Sequence, residues 1–253
     1  MPIALITGAT AGIGKACAYK FAQHGYDLII TGRRIDRLEA VASDIRTNFD
    51  NRIMTLNFDV RHQKEVEEAI NSLSFNFKEI DILINSAGLA SGLSNIQDGD
   101  IADWDKMIDT NVKGLLYVSR AVMPLMIKRK HGHIINLGSI AGKETYAKGN
   151  VYCATKYAVD SISKAMRIDL LPHHIKVTNI TPGAVETEFS LVRFSGDAAK
   201  AKSVYAGYEP LTADDIADTI FFAASRPVNV VINDIVITPL AQANTAYLMR
   251  STT

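Results

Sequence analysis

The chain has 253 residues, and 27 Lys+Arg balance 27 Asp+Glu, so its formal net charge is zero. Apolar residues make up 47% and charged residues 21%, an ordinary globular balance that excludes a disordered chain, while zero net charge excludes a general polyanion binder. Two cysteines and six scattered histidines give neither a disulfide framework nor a metal-ligand spacing, and the apolar runs fall far short of the ~20 residues that a membrane span needs.

Ile3 to Thr7 is a short apolar run stopped by Gly8, which predicts a buried strand. Ile13, Ala16, Cys17 and Phe21 then recur at helical spacing up to Gly25. A second strand, Asp27 to Thr31, ends at Gly32, and Ile35, Leu38, Val41, Ala42 and Ile45 mark a second helix. Met54 to Phe58 predicts a third strand, and Val66, Ala69, Ile70 and Leu73 a third helix. Strands follow at Ile80 to Ile84 and His133 to Leu137, separated by one long helix from Asp103 to Lys130 in which Pro124 is the expected kink. A helix from Asn150 to Leu171, a strand from Lys176 to Thr181, a helix capped by Thr212 with Asp215, and a β-branched strand from Val228 to Ile237 complete the chain. Gly88 to Asp100 and Pro182 to Val204 read as irregular segments, the second long enough to suggest function.

Strands that alternate with helices must run parallel, and near-continuous apolar strands belong to a sheet covered on both faces. The expected fold is therefore α/β, a doubly wound, Rossmann-like, seven-stranded parallel sheet in a single domain. Its cofactor-binding part is expected at about 1–140 and its catalytic and substrate part at about 139–253. Met1-Pro2 leads straight into the first strand without a basic leader, so a cytoplasmic location is expected, and the cysteine usage agrees.

Gly8, Thr10, Gly12, Ile13 and Gly14 lie in the turn between the first strand and first helix. Glycines let the backbone approach a ligand closely, and a helix N-terminus offers unpaired N–H groups and partial positive charge to a pyrophosphate. After the second strand stand Arg33 and Arg34, with no acid beside them. An acid there would bind the ribose of NAD; a guanidinium instead fits the 2′-phosphate of NADP.

Tyr152 and Lys156 are four apart on a predicted helix and share a face. A tyrosine can serve as proton donor to a developing alkoxide, and a nearby ammonium would lower its pKa. Ser139 follows the fifth strand, at the sheet edge where ligands bind. Asn111 sits inside the long helix, a poor place for asparagine unless it has a use. Asn85-Ser86-Ala87-Gly88 follows the fourth strand at the same edge.

The TGxxxGxG turn, the NxAG segment and the Asn-Ser-Tyr-Lys order resemble the short-chain dehydrogenase/reductase family from Thr7 through Pro182-Gly183. Ser86 departs from the second Asn that the family often has. The resemblance implies that Tyr152 is the general acid or base, that Lys156 lowers its pKa and holds the nicotinamide ribose, that Ser139 polarises the carbonyl, and that Asn111 organises a proton path to Lys156. It also implies NADP(H) contacts at the glycine turn, Arg33, Arg34, Asp59, Val60, Asn85, Ala87, Gly88, Tyr152, Lys156, Pro182, Gly183, Val185 and Thr187.

Thr31 to Arg34, Asp59 to Arg61, Asp103 to Asn111, Gly149 to Tyr152 and Thr187 to Phe194 are similar to the NADP-dependent 3-hydroxy acid dehydrogenases, which act on serine, threonine-like and related small β-hydroxy acids. That likeness implies a hydroxy-acid substrate bound by Ser139, Tyr152 and Arg193, with Arg193 clamping the carboxylate, and a homotetramer without nucleic-acid or membrane partners. Two other readings remain: a reductase of a neutral carbonyl (sugar, diketone or steroid-like), or a non-catalytic NADPH sensor.

Overall fold

The computed structural model describes residues 1–251. The strands are β1 (Ile3–Ile6), β2 (Asp27–Gly32), β3 (Ile53–Asn57), β4 (Ile80–Asn85), β5 (Gly132–Leu137), β6 (Ile175–Pro182) and β7 (Asp234–Ile237). The helices are α1 (Gly12–Gln23), α2 (Ile35–Asn48), α3 (Gln63–Asn71), α4 (Ile101–Ile108), α5 (Leu115–Arg129), α6 (Asn150–Leu170), α7 (Glu188–Arg193), α8 (Ala198–Ser203) and α9 (Ala213–Ala224). The strands form one sheet in the order β3-β2-β1-β4-β5-β6-β7, every pair parallel. This is the doubly wound fold expected from the alternation of elements. The chain winds outward through β2 and β3, then crosses to β4 on the other side of β1, so the crevice between β1 and β4 is the switch point where such sheets bind ligands.

The strands are apolar throughout because each face has its own cover. Ala4, Ile6, Leu28 and Ile30 pack with α1, α2 and α9 on one side; Ile3, Leu5 and Ile29 pack with α3, α5 and α6 on the other. Phe21, fully buried, anchors the first layer edge-on against Tyr26 and Phe221. Thr212 caps α9 and Asp215 returns the bond, so the capping box forms with Asp in place of Glu.

Three expected elements differ from those found. The long helix from Asp103 to Lys130 is interrupted at Asp109–Gly114, which forms a π-helical turn, while α5 runs on through Pro124. Gly114 abuts β3's following loop there: a Cβ on it would lie 2.7 Å from Val60 Cγ2. The segment Pro182 to Val204 is not irregular but carries α7 and α8. The last strand is only Asp234–Ile237, because the Lys176 ammonium gathers the carbonyls of Arg226, Pro227 and Val230 and folds the preceding residues into a turn. Among the described residues no helix is long and apolar enough to cross a membrane.

Candidate active site

One cleft of about 570 Å³ runs along the carboxyl ends of β1, β4, β5 and β6. Its floor is the glycine turn. Gly8 and Gly12 lie in the left-handed region, at φ of +70° and +51°. A Cβ on Gly14 would stand 2.5 Å from the Gly8 carbonyl oxygen, so only glycine lets α1 start this close to the turn. No side chain caps α1 and its first turn holds no acid, which leaves its N–H groups directed to the cleft. The neighbouring turn after β4 is held by the Thr7 hydroxyl, which accepts from both Ser86 N and Ala87 N at 3.0 Å. Those are backbone donors, so the turn does not depend on an amide side chain at Ser86.

The rim beyond β2 concentrates charge. Arg33 lies 3.4 Å from the Asp59 carboxylate, which also receives a fork from Arg61. Burial alone would raise the Asp59 carboxyl, but the Arg61 bonds and the two guanidinium charges hold it at about 2. Arg34 rests Nε and Nη2 on the Thr10 hydroxyl at 3.3 and 3.0 Å and gives Nη1 to Glu188 at 2.8 Å. Arg37 reaches the other Glu188 oxygen at 2.5 Å. Four guanidinium groups thus pair with two carboxylates around this rim, and Arg33 and Arg34 border the cleft itself. A glycine cradle, free helix N–H groups and two arginines on the rim fit a dinucleotide that carries an extra phosphate.

At the other end Ser139, Tyr152 and Lys156 line the same cleft. The Ser139 hydroxyl accepts from Ala141 N at 3.1 Å, and the Lys156 ammonium donates to the Leu137 carbonyl at 2.8 Å. Burial pushes the Lys156 ammonium down to about 8. Burial also pushes the Tyr152 phenol well above its ordinary value, and the neighbouring Tyr146 phenol adds to this; Ser139 and Arg193 pull the other way. Lys156 is not among the groups that set the Tyr152 phenol in this arrangement. The ammonium sits 5.9 Å from the Tyr152 ring centroid and is directed at Leu137.

Asn111 does not line the cleft. It lies in the π-helical turn, with Oδ1 accepting from Leu89 N at 2.8 Å and Nδ2 donating to the Leu89 carbonyl at 2.8 Å and to Thr155 Oγ1 at 3.0 Å. It stands behind Gly88, where a Cβ would be 3.3 Å from Asn111 Oδ1 and 3.8 Å from Lys156 Nζ. Asn85 is the one expected cofactor contact that faces away: its amide is buried under α5 and donates to Ser119 and Asn136 at 2.9 Å. The other expected cofactor contacts, from Gly8 to Thr187, border the cleft.

Arg193 ends α7 and borders the Tyr152 end of the cleft. Its Nη2 donates to the Tyr146 hydroxyl at 2.8 Å, and its Nε donates to the Gly92 carbonyl at 3.3 Å. Its guanidinium carbon lies 5.5 Å from the Tyr146 ring centroid and 5.6 Å from that of Tyr152. Tyr146, Phe189 and Glu188 were not foreseen as site residues, nor was the C-terminal segment. Gln242 accepts from Ala184 N at 2.8 Å, Leu248 borders the cleft, and Arg250 donates to the Val204 carbonyl at 3.0 Å. The Arg193-Tyr146 pair could have been sought as a cation beside an aromatic; the C-terminal contacts carry no sequence signal.

The family model for short chain dehydrogenase matches residues 2–196. The chain is 45% identical over 242 residues to the NADP-dependent 3-hydroxy acid dehydrogenase YdfG of Salmonella typhimurium, covering 95% of this chain and 96% of that protein. It is 43% identical over 246 residues to sulfoacetaldehyde reductase 2 of Chromohalobacter salexigens, covering 97% of each. Among solved structures, the closed form of serine dehydrogenase complexed with NADP+ superposes with a TM-score of 0.92 at 42% identity, over 99% of this chain and 100% of that one.

Proposed function

Since this chain belongs to the short-chain dehydrogenase family, we propose that it is an NADP(H)-dependent oxidoreductase acting between a small 3-hydroxy acid and its carbonyl counterpart. The observation that carries the substrate class is the Arg193 guanidinium 5.6 Å from the ring of Tyr152. An anionic substrate held by Arg193 brings its hydroxyl carbon beside the phenol.

In this reading the glycine turn and the α1 N-terminus hold the pyrophosphate, Arg33 and Arg34 hold the 2′-phosphate, and Gly183, Val185 and Thr187 border the nicotinamide. The bound nicotinamide supplies the hydride acceptor or donor. Tyr152 takes the hydroxyl proton in oxidation and returns it in reduction. Ser139 holds the same oxygen and polarises it. Lys156, bonded to Leu137, keeps a positive charge on the cofactor side of the phenol. Asn111 pins Leu89 and α6, so that Gly88 and Lys156 keep their spacing.

The likeness to a sulfoacetaldehyde reductase favours one second reading, a short sulfonate aldehyde, because a guanidinium pairs with sulfonate as it does with carboxylate. The rim of Ser139, Tyr152 and Lys156 on one cleft weighs against a non-catalytic sensor. The chain is read as one domain forming a cytoplasmic homotetramer. Exposed Ile101 and Ile108 on α4, Ile168 on α6 and Leu171 just beyond it, the open edge of β7 and exposed Leu240 support the assembly; the two free, buried cysteines support the compartment. NADP+-dependent oxidation of L-serine, 3-hydroxypropionate, 3-hydroxybutyrate and a neutral secondary alcohol tests the substrate class. The hydroxy acids turn over faster; a faster neutral alcohol overturns the assignment.

A further inference from the structure

The two ends of the cleft are tied together by one carboxylate. Glu188 is the first residue of α7 and Arg193 the last. Glu188 divides its oxygens between Arg34 and Arg37, at 2.8 and 2.5 Å. Thr187 beside it caps α7 by accepting from Phe189 N at 3.2 Å and rests on the glycine turn, where a Cβ on Gly12 would be 3.3 Å from Thr187 Cβ. The segment is thus held at its start by the residues assigned to the cofactor and at its end by Tyr146 and Gly92 on the substrate side. Hydride transfer has no use for Glu188, and an acid placed beside a phosphate site costs repulsion unless cations offset it.

We propose that Glu188 is a positioning residue that couples the 2′-phosphate of the cofactor to the placement of α7, and hence of Arg193, over the substrate. This rests on the proposed NADP(H) site at Arg33 and Arg34. Arg34 carries five N–H donors. Among the described residues Thr10 takes two of them and Glu188 one, which leaves one on each terminal nitrogen. Those two remain for phosphate while Glu188 keeps its own contact. Arg33 next to Arg34 and Arg37 on the second Glu188 oxygen offset the added negative charge, so Glu188 does not have to leave when the phosphate arrives. Phosphate fixes Arg34, Arg34 fixes Glu188, and Glu188 fixes the first turn of α7. By linkage, substrate held at Arg193 strengthens the hold on the 2′-phosphate by the same factor.

The test uses the full chain, wild type and Glu188→Gln, with adenosine 2′,5′-bisphosphate and adenosine 5′-monophosphate as probes. Hydrogen exchange is followed across residues 187–204, and probe affinity is measured by calorimetry. In the wild type the bisphosphate slows exchange in this segment several-fold more than the monophosphate does. In Glu188→Gln the two probes protect it equally, while bisphosphate still binds more tightly than monophosphate through Arg33 and Arg34. A structural role alone would change exchange with both probes alike, and that result overturns the proposal. So does equal extra protection by bisphosphate in wild type and variant, or faster exchange with bisphosphate in the wild type, which would mean the carboxylate is displaced. If the wild type binds both probes equally, the cofactor assignment fails and the coupling fails with it. As a kinetic counterpart, KM for 3-hydroxypropionate is higher with NAD+ than with NADP+ in the wild type, and Glu188→Gln narrows that gap without a matching change in kcat.

Discussion

The Lys156 ammonium donates to the Leu137 carbonyl at 2.8 Å, joining α6 to the end of β5 directly beside Ser139. The bond fixes the lysine but does not offset its burial, which pushes it down to about 8. A lysine whose folded pKa lies below its unfolded value destabilises the fold fully below about 8 and stops doing so as pH rises to 10.5. That penalty is on the order of 3 kcal/mol. Lys156→Met is therefore expected to raise the melting temperature at pH 7, to show a smaller gain at pH 10, and to lose most activity at both. Thermal unfolding and turnover at the two pH values check it. No gain at pH 7 contradicts the burial account.

Tyr152 has the opposite problem. Its phenol lies well above its ordinary value through burial, so its deprotonated form is scarce at neutral pH. Oxidation, which needs a proton acceptor there, should keep accelerating into the alkaline range, whereas reduction, which needs the donor, should not. Tyr152→Phe removes both, with an expected loss of about 100-fold or more in each direction. Paired pH profiles of kcat/KM in the two directions measure this, and parallel profiles would speak against Tyr152 as the proton carrier.

His133 lies far from the cleft and sets an acid limit on the fold. It is buried between strands, bonds Thr178 through Nε2 at 2.7 Å, and burial pushes it down to about 3. The unfolded chain binds this proton first, so stability falls as pH drops from 6.5 toward 3. The loss from this residue is about 2 kcal/mol by pH 5. Urea midpoints at pH 7 and pH 5 should separate for the wild type and converge for His133→Gln.

Arg34 gives a prediction on cofactor choice. Its removal leaves Arg33 in place but takes away a fork at the 2′-phosphate, so Arg34→Ala should raise KM for NADP+ by about 10- to 100-fold while changing KM for NAD+ little. Steady-state kinetics with both cofactors decides it; equal losses would place Arg34 in the architecture of the turn instead.

The sheet could be read from the sequence because both faces of every inner strand are covered, which writes unbroken apolar runs such as Leu28 to Ile30. The glycine turn and the Tyr152-Lys156 pair were legible because each is local, one a strand-to-helix turn and the other a single helical step. What was not legible depends on distant partners. The break at Asp109–Gly114 is set against Val60, and the shortened last strand by Lys176. Asn85 sits at the right strand end, yet its amide is used beneath the sheet by Ser119 and Asn136. Glu188 meets Arg34 across 154 residues, and no spacing rule reaches that far.

On the proposed function, the Arg193 guanidinium beside the Tyr152 ring selects anionic substrates. The most direct measurement of this selection is the ratio of kcat/KM for 3-hydroxypropionate to that for a neutral secondary alcohol, with NADP+, in the wild type and in Arg193→Ala. A charge-assisted clamp of ~1.5–3 kcal/mol predicts that the ratio falls by about 10- to 100-fold, almost wholly through the hydroxy acid. An unchanged ratio, or an equal loss on both substrates, would contradict it.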